Sequence, residues 1–175
     1  MEAKAIEILD SHRFMAISTV RHDGWPQTTI VGYANDGLTI YFLISRNSQK
    51  FANILHDERV SVAIGDEPRT IDEATAVYAG ALASEVTDPK QRKEVWRLLM
   101  YRHTNLAEHE MPAKSQAALM RVVCKYVSIL DYTQGLGHTD SLTVGSGIAL
   151  IDPAKPDDLD LSRSAEWVRR RVRVH

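Results

Sequence analysis

The sequence predicts a mainly β protein, a small closed or split antiparallel barrel with short helices added. Three observations carry that expectation. About six runs of apolar and β-branched residues have the length of strands. Tight-turn signals, Asp23-Gly24 and Asn35-Asp36-Gly37, join the first three of them, since such turns need residues that accept positive φ. The runs do not alternate with long helices, which argues against a doubly wound parallel sheet.

The elements follow in order. Glu2 to Ser11 reads as a short helix, with Ala5, Ile6 and Leu9 at helical spacing. Phe14 to Val20, Thr28 to Tyr33 and Leu38 to Ile44 read as a three-stranded meander. Ser45 to Lys50 is a polar break, with Asn47 or Ser48 as cap of a short helix carrying Phe51, Ile54 and Leu55 on one face. Arg59 to Ile64 alternates as a strand, and Gly65 to Ala74 reads as a loop containing Pro68. Thr75 to Val86 is a long strand in which Gly80 marks a bulge. Asp88, Pro89 and Gln91 form an N-cap, N1 and N3 signature for a helix whose apolar stripe is Val95, Trp96 and Leu99. Thr104 to Gln116 is irregular, Met120 to Leu130 is a further strand, and Asp131 to Thr143 lacks clear periodicity. Residues 1–150 are expected to form the barrel domain. Residues 151–175 read as an acidic, proline-containing linker (Asp152 to Asp160) and a short Arg-rich helix (Ser162 to Val172).

Composition excludes several classes. Among 175 residues, 21 are Lys or Arg and 23 are Asp or Glu, a net charge of −2, without the basic excess of a general nucleic-acid binder. No apolar run reaches the roughly 18 to 20 residues of a membrane-spanning helix. The N-terminus has no secretory pattern, so a cytoplasmic location is expected. A single cysteine, Cys124, excludes an intrachain disulfide and reads as a buried thiol inside a strand.

Candidate chemistry is sparse outside one turn. The pairs Gly135-x-Gly137 and Gly145-x-Gly147 lack the third glycine of a dinucleotide fingerprint, and no phosphate-binding GxxxxGK[ST] loop or GxSxG elbow occurs. His103 and His109 are six apart, on different faces of any helix, and Glu108 and Glu110 beside His109 read as a solvated acidic patch, so no metal is expected. His138 follows a Gly-x-Gly turn and reads either as an exposed loop residue or as a group presented to a pocket. Trp25 and Trp96 read as core or interface residues. The arginines of the tail read as a solvated face, with docking on a partner subunit or reach to an anionic ligand as alternatives. The turn Ser45 to Lys50 gathers hydroxyls from Ser45 and Ser48, the amide of Gln49 and the cations Arg46 and Lys50 at a helix N-terminus. There free N–H groups and the dipole favour an anion. A phosphate suits this turn, and a solvated capped turn is the plain alternative.

These residues recur in a recognisable order. Ala16, Thr19, Val20, Asp23, Gly24 and Pro26 form one hairpin, and Tyr41, Phe42, Ser45, Ser48 and Lys50 the following strand and turn. Asn53, Leu55, Asp57, Arg59 and Val60 complete the set. With the ending Leu130-Asp131-Tyr132 and Gly137-His138-Thr139-Asp140, the chain resembles the pyridoxamine 5′-phosphate oxidase-like FMN-binding split barrels over roughly residues 5 to 145. The resemblance implies a six-stranded antiparallel Greek-key split barrel, dimerised so that FMN lies at the interface of two identical chains. It places Thr28, Thr29, Ile30 and Val31 along the isoalloxazine, partly through backbone groups, with Phe42 flanking it. It places Ser45, Ser48, Gln49 and Lys50 on the phosphate, with Thr75 and His138 as further contacts. The oxidase itself has an arginine near the position of Thr29, and its C-terminal Trp and Arg region is not clearly matched by Trp167 and its neighbouring arginines. The expectation is therefore an FMN-dependent oxidoreductase acting on another small molecule, with no catalytic residue assigned. The alternatives are a flavin-binding or sensor protein without turnover, or the same barrel holding a deazaflavin or haem.

Overall fold

Alternation of side chains along the strands closes the sheet around an apolar interior. The computed structural model describes residues 1–106 and 109–144. Its elements are α1 (Glu2–Ser11), β1 (Phe14–Val20), β2 (Pro26–Asp36), β3 (Thr39–Ser45), α2 (Gln49–His56) and β4 (Arg59–Gly65). There follow β5 (Thr75–Glu85), α3 (Pro89–Arg102), β6 (Ala117–Asp131) and β7 (Thr139–Thr143). The strand order is β3-β2-β1-β4-β5-β6-β7, and β3 also pairs with β6. Strands β1 to β6 thus form a closed antiparallel barrel, and β7 is added outside it. The expected mainly β barrel is what the chain adopts.

Met15 and Ile17 of β1, Ile40, Phe42 and Ile44 of β3, Val62 and Ile64 of β4, and Val127 and Ile129 of β6 point inward and are nearly solvent-free. A second cluster lies outside the barrel under α3, where Val95, Trp96 and Leu99 cover Ala34, Val86 and Leu119. The α3 cap is as expected: Asp88 accepts a hydrogen bond from the Gln91 N–H at 2.7 Å, and Pro89 opens the helix. Cys124 is buried, and burial pushes its thiol up to about 11, far from a reactive thiolate.

The Gly80 bulge is present as a shift of register between Gly80 and Ala81. The ring of Tyr126 lies across this glycine, so close that a Cβ there would sit 2.1 Å from it. Strand length was underestimated at both β2 and β6. The first starts at Pro26, a strand end where the missing N–H costs nothing, and the second at Ala117. Asp131 to Thr143, read as aperiodic, contains a short 3₁₀ turn and β7, whose Thr and Ser residues hide strand alternation. Leu55 is 70% exposed rather than on the buried face of α2. Trp25 is likewise exposed, while Trp96 is core. Gly145-x-Gly147, Glu108, the linker, Trp167 and the Arg-rich tail lie outside the described residues. No helix among the described residues is long and apolar enough to cross a membrane.

Candidate functional site

The polar turn after β3 is built as a helix-start site. Ser48 caps α2: its hydroxyl accepts from the Phe51 N–H at 3.2 Å and donates to the Ser45 carbonyl at 2.7 Å. The Asn47 N–H donates to the Ser45 hydroxyl at 3.3 Å. One face of α2 then lies along the β1–β2 hairpin, because residues 50 and 53 share that face. Lys50 donates to the Thr29 hydroxyl at 2.7 Å. The Asn53 amide donates to the Thr19 hydroxyl at 2.9 Å and to the Gln27 side-chain oxygen at 3.0 Å, and its own oxygen accepts from Gln49 at 2.8 Å. Asn53 and Thr19 are buried, so this network fixes the helix that carries Lys50.

The two cations of the turn have different fates. Arg46 donates to Glu85 and to the Lys114 carbonyl, and its guanidinium lies 5.1 Å from the Phe51 ring centre. Its charge is paired with a carboxylate, whereas the sequence reading set both cations of the turn toward an anion. Lys50 has no carboxylate within salt-bridge range among the described residues. Partial burial lowers its pKa. A half-buried ammonium resting on a neutral hydroxyl is a charge that an incoming anion would stabilise.

The other expected residues separate by position. Thr28 and Ile30 point to the outer face of the sheet, Thr28 sharing a 2.7 Å hydrogen bond with Ser18. Thr29 faces α2, and Val31 packs on the barrel core. The pleat therefore sends consecutive side chains to opposite sides, and only backbone groups of all four can line one ligand. Phe42 has no exposed surface and lies inside the barrel, which leaves only its backbone to an external ligand. Thr75, at the far end of β5, pairs with Asp131. His138 lies just before β7, its Nε2 3.4 Å from Asp140. By the register Thr29–Ile17–Val62–Ala79, Thr75 is three strands and four residues from the Lys50 contact, on the order of 20 Å along the sheet. The chain thus brings together Ser45, Ser48, Gln49, Lys50 and Thr29, and keeps Thr75 and His138 apart from them.

Sequence reasoning assigned no role to Asn53 and Gln27, although a lone asparagine on an otherwise apolar helix face is a legible signal. It also missed His12 and Asp66, whose Nε2 and carboxylate oxygen are 3.2 Å apart. These two are distant in sequence and no local pattern joins them.

The family described as pyridoxamine 5′-phosphate oxidase matches residues 1–131. Among solved structures, a conserved hypothetical protein of Mycobacterium tuberculosis is 26% identical, with TM-score 0.68, covering 85% of this chain and 94% of that one. A haem-binding protein of Mycobacterium smegmatis is 19% identical, with TM-score 0.67; 81% of this chain is covered but only 56% of the other, so this chain spans little more than half its length. An FAD-binding protein of Mesorhizobium loti is 18% identical, with TM-score 0.59, covering 74% and 93%. No curated protein matches the chain at a significant level.

Proposed function

This chain belongs to the pyridoxamine 5′-phosphate oxidase family, and on that premise we propose that it is an FMN-binding flavoprotein, an FMN-dependent oxidoreductase of a small molecule. The observation that carries the reading is Lys50. Its ammonium is half-buried and held on Thr29, beside a capped helix start, and no carboxylate neutralises it among the described residues. Phosphate is the group such a donor set fits.

Bound FMN supplies hydride or single-electron transfer at its ring system. The residues here bind and orient it. Lys50 would neutralise the phosphate, the Ser45 hydroxyl and the free N–H groups of the first turn of α2 would add donors, and Ser48, its own O–H given to the Ser45 carbonyl, would hold the turn in place. Thr28 and Ile30 present the outer face of β2 to the ring. Thr29 stands near the place where the oxidase has an arginine, which favours a substrate other than pyridoxamine 5′-phosphate. The separation of Thr75 and His138 from Lys50 supports a homodimer in which a second copy completes the cofactor's surroundings.

An absorption spectrum of the full chain titrated with FMN tests the reading. Flavin bands that shift on binding, with affinity lost in Lys50→Ala, are expected. A protein that ignores FMN and takes up a deazaflavin or haem would replace the cofactor assignment. Reduction of the bound flavin by NADH or NADPH, then reoxidation by an acceptor, distinguishes an enzyme from a sensor. Sedimentation at a mass of two chains is expected, and a monomer would overturn the shared-site arrangement.

A further inference from the structure

Two histidines that the anion site does not use meet beside the β1–β2 turn. His22 lies in that turn, and His56 is the last residue of α2. Their ring centres are 5.9 Å apart and their planes are inclined at 67°. His56 is exposed and His22 partly so. The histidine hydrogen bonds and ion pairs among the described residues belong to His12, His103 and His138. The ring nitrogens of His22 and His56 are therefore uncommitted within that set.

The ring spacing has a chemical meaning. An imidazole nitrogen sits about 2.1 Å from a divalent transition ion, so two imidazoles on one ion have centres roughly 5 to 6 Å apart. Edge-to-face stacking of the two rings is the plain alternative. The surroundings suit a cation. The C-terminal end of the α2 dipole favours positive charge beside His56. Arg21, next to His22, and Arg59, three residues past His56, are each held by a carboxylate, Asp23 at 3.0 Å and Asp57 at 2.6 Å. Those two carboxylates are thereby committed as well. No group of three or more His, Cys, Asp or Glu side chains is placed to hold a metal among the described residues. The two imidazoles are thus the ligands the described chain offers, and water fills the other positions.

We infer that His22 and His56 together bind one divalent ion of the kind imidazole selects, Zn²⁺, Ni²⁺ or Cu²⁺, in an exchangeable surface site. Imidazole suits these ions, whereas Mg²⁺ and Ca²⁺ prefer oxygen ligands. Two arms on one ion make a chelate, which a lone surface histidine cannot. The ion joins the β1–β2 hairpin to α2, the two elements whose apposition sets Lys50 on Thr29. The sequence reading expected no metal, because residues 22 and 56 share no local spacing. The inference stands whether or not the chain binds FMN.

Isothermal titration of the full chain with Ni²⁺, and with Mg²⁺ for comparison, tests it. One Ni²⁺ per chain is expected, with no heat from Mg²⁺. His22→Gln and His56→Gln, both at the surface, should each weaken that site roughly 10-fold. The double variant should lose no more than about 2-fold beyond either single one, because a chelate is lost with its first arm. Cu²⁺ at the same place should quench Trp25, which is 67% exposed and lies in the same turn as His22. Either single variant should relieve that quenching, and His109→Gln should change none of these readings. No Ni²⁺ binding, equal uptake of Mg²⁺, binding or quenching that survives either single variant, or losses that add fully in the double variant would each overturn the inference.

Discussion

Two lysines sit at opposite ends of the barrel, and their partners differ. Lys4 of α1 donates to Asp131, a carboxylate with 1% exposure at the end of β6, which also accepts from Thr133 and Gln134. Those donors hold the Asp131 carboxyl far below the ordinary range, Gln134 most of all, then Lys4 and Thr133. Among the described residues, Lys50 of α2 has only the Thr29 hydroxyl. A charge whose partners are complete joins two elements and stabilises the fold. A charge half-buried beside a neutral partner has its pKa lowered by that burial and gains from a ligand. Residue type alone does not separate the two cases; what each ammonium touches does.

Four substitutions break or sharpen that contrast. The largest effect is expected from Asn53→Ala, which strips partners from the buried Thr19 hydroxyl and from Gln27 and frees the helix carrying Lys50. It should cost about 3 kcal/mol in urea unfolding and weaken FMN binding as well. Lys50→Ala should weaken FMN by roughly 30-fold in a fluorescence titration while leaving the unfolding midpoint nearly unchanged. In the native chain FMN affinity should fall as pH rises, at values below the ~10.4 of a free lysine, because burial depresses the Lys50 pKa.

Asp131→Asn should do the reverse, lowering Tm by about 5 °C in calorimetry at neutral pH with FMN affinity unchanged. The folded-state pKa of Asp131 is depressed, so its contribution is present above the unfolded value of about 3.9 and is lost as pH falls below it. The Tm difference between native and Asp131→Asn chains should therefore close in acid. The smallest effect is expected from Arg46→Gln. It leaves Glu85 unpaired and loosens the turn, yet FMN affinity should stay within about 3-fold, since Arg46 is already committed to that carboxylate. A larger loss would return Arg46 to the anion site.

Much of the barrel was legible because its signals are local. The Asp23-Gly24 turn, the alternation in Arg59 to Ile64 and the Asp88-Pro89-Gln91 start each report their own conformation. Strand β7 was not legible, since Thr139, Ser141 and Thr143 face outward and leave little apolar alternation to read. At the site, the Ser45 to Lys50 turn was readable as an anion site because capping chemistry is short-range. The division of labour between Arg46 and Lys50 was not, because it depends on Glu85, a residue 39 positions away. The same holds for the approach of His12 to Asp66, residues 54 positions apart.

One feature of β6 reaches beyond the site. Its first half, from Ala117 to Val123, closes the barrel against β3, and its second half takes β7 from Tyr126 onward, while its other edge lies on β5 from Met120 to Asp131. A single late segment thus joins elements made much earlier. During synthesis the chain up to α3 holds two raw sheet edges, on β3 and on β5, with the barrel interior open between them. Native closure must wait until β6 has left the ribosome. Closure of this barrel is therefore a late step, slow in the manner of long-range β pairing, and the chain is exposed until then to sticking with neighbours or to capture by chaperones.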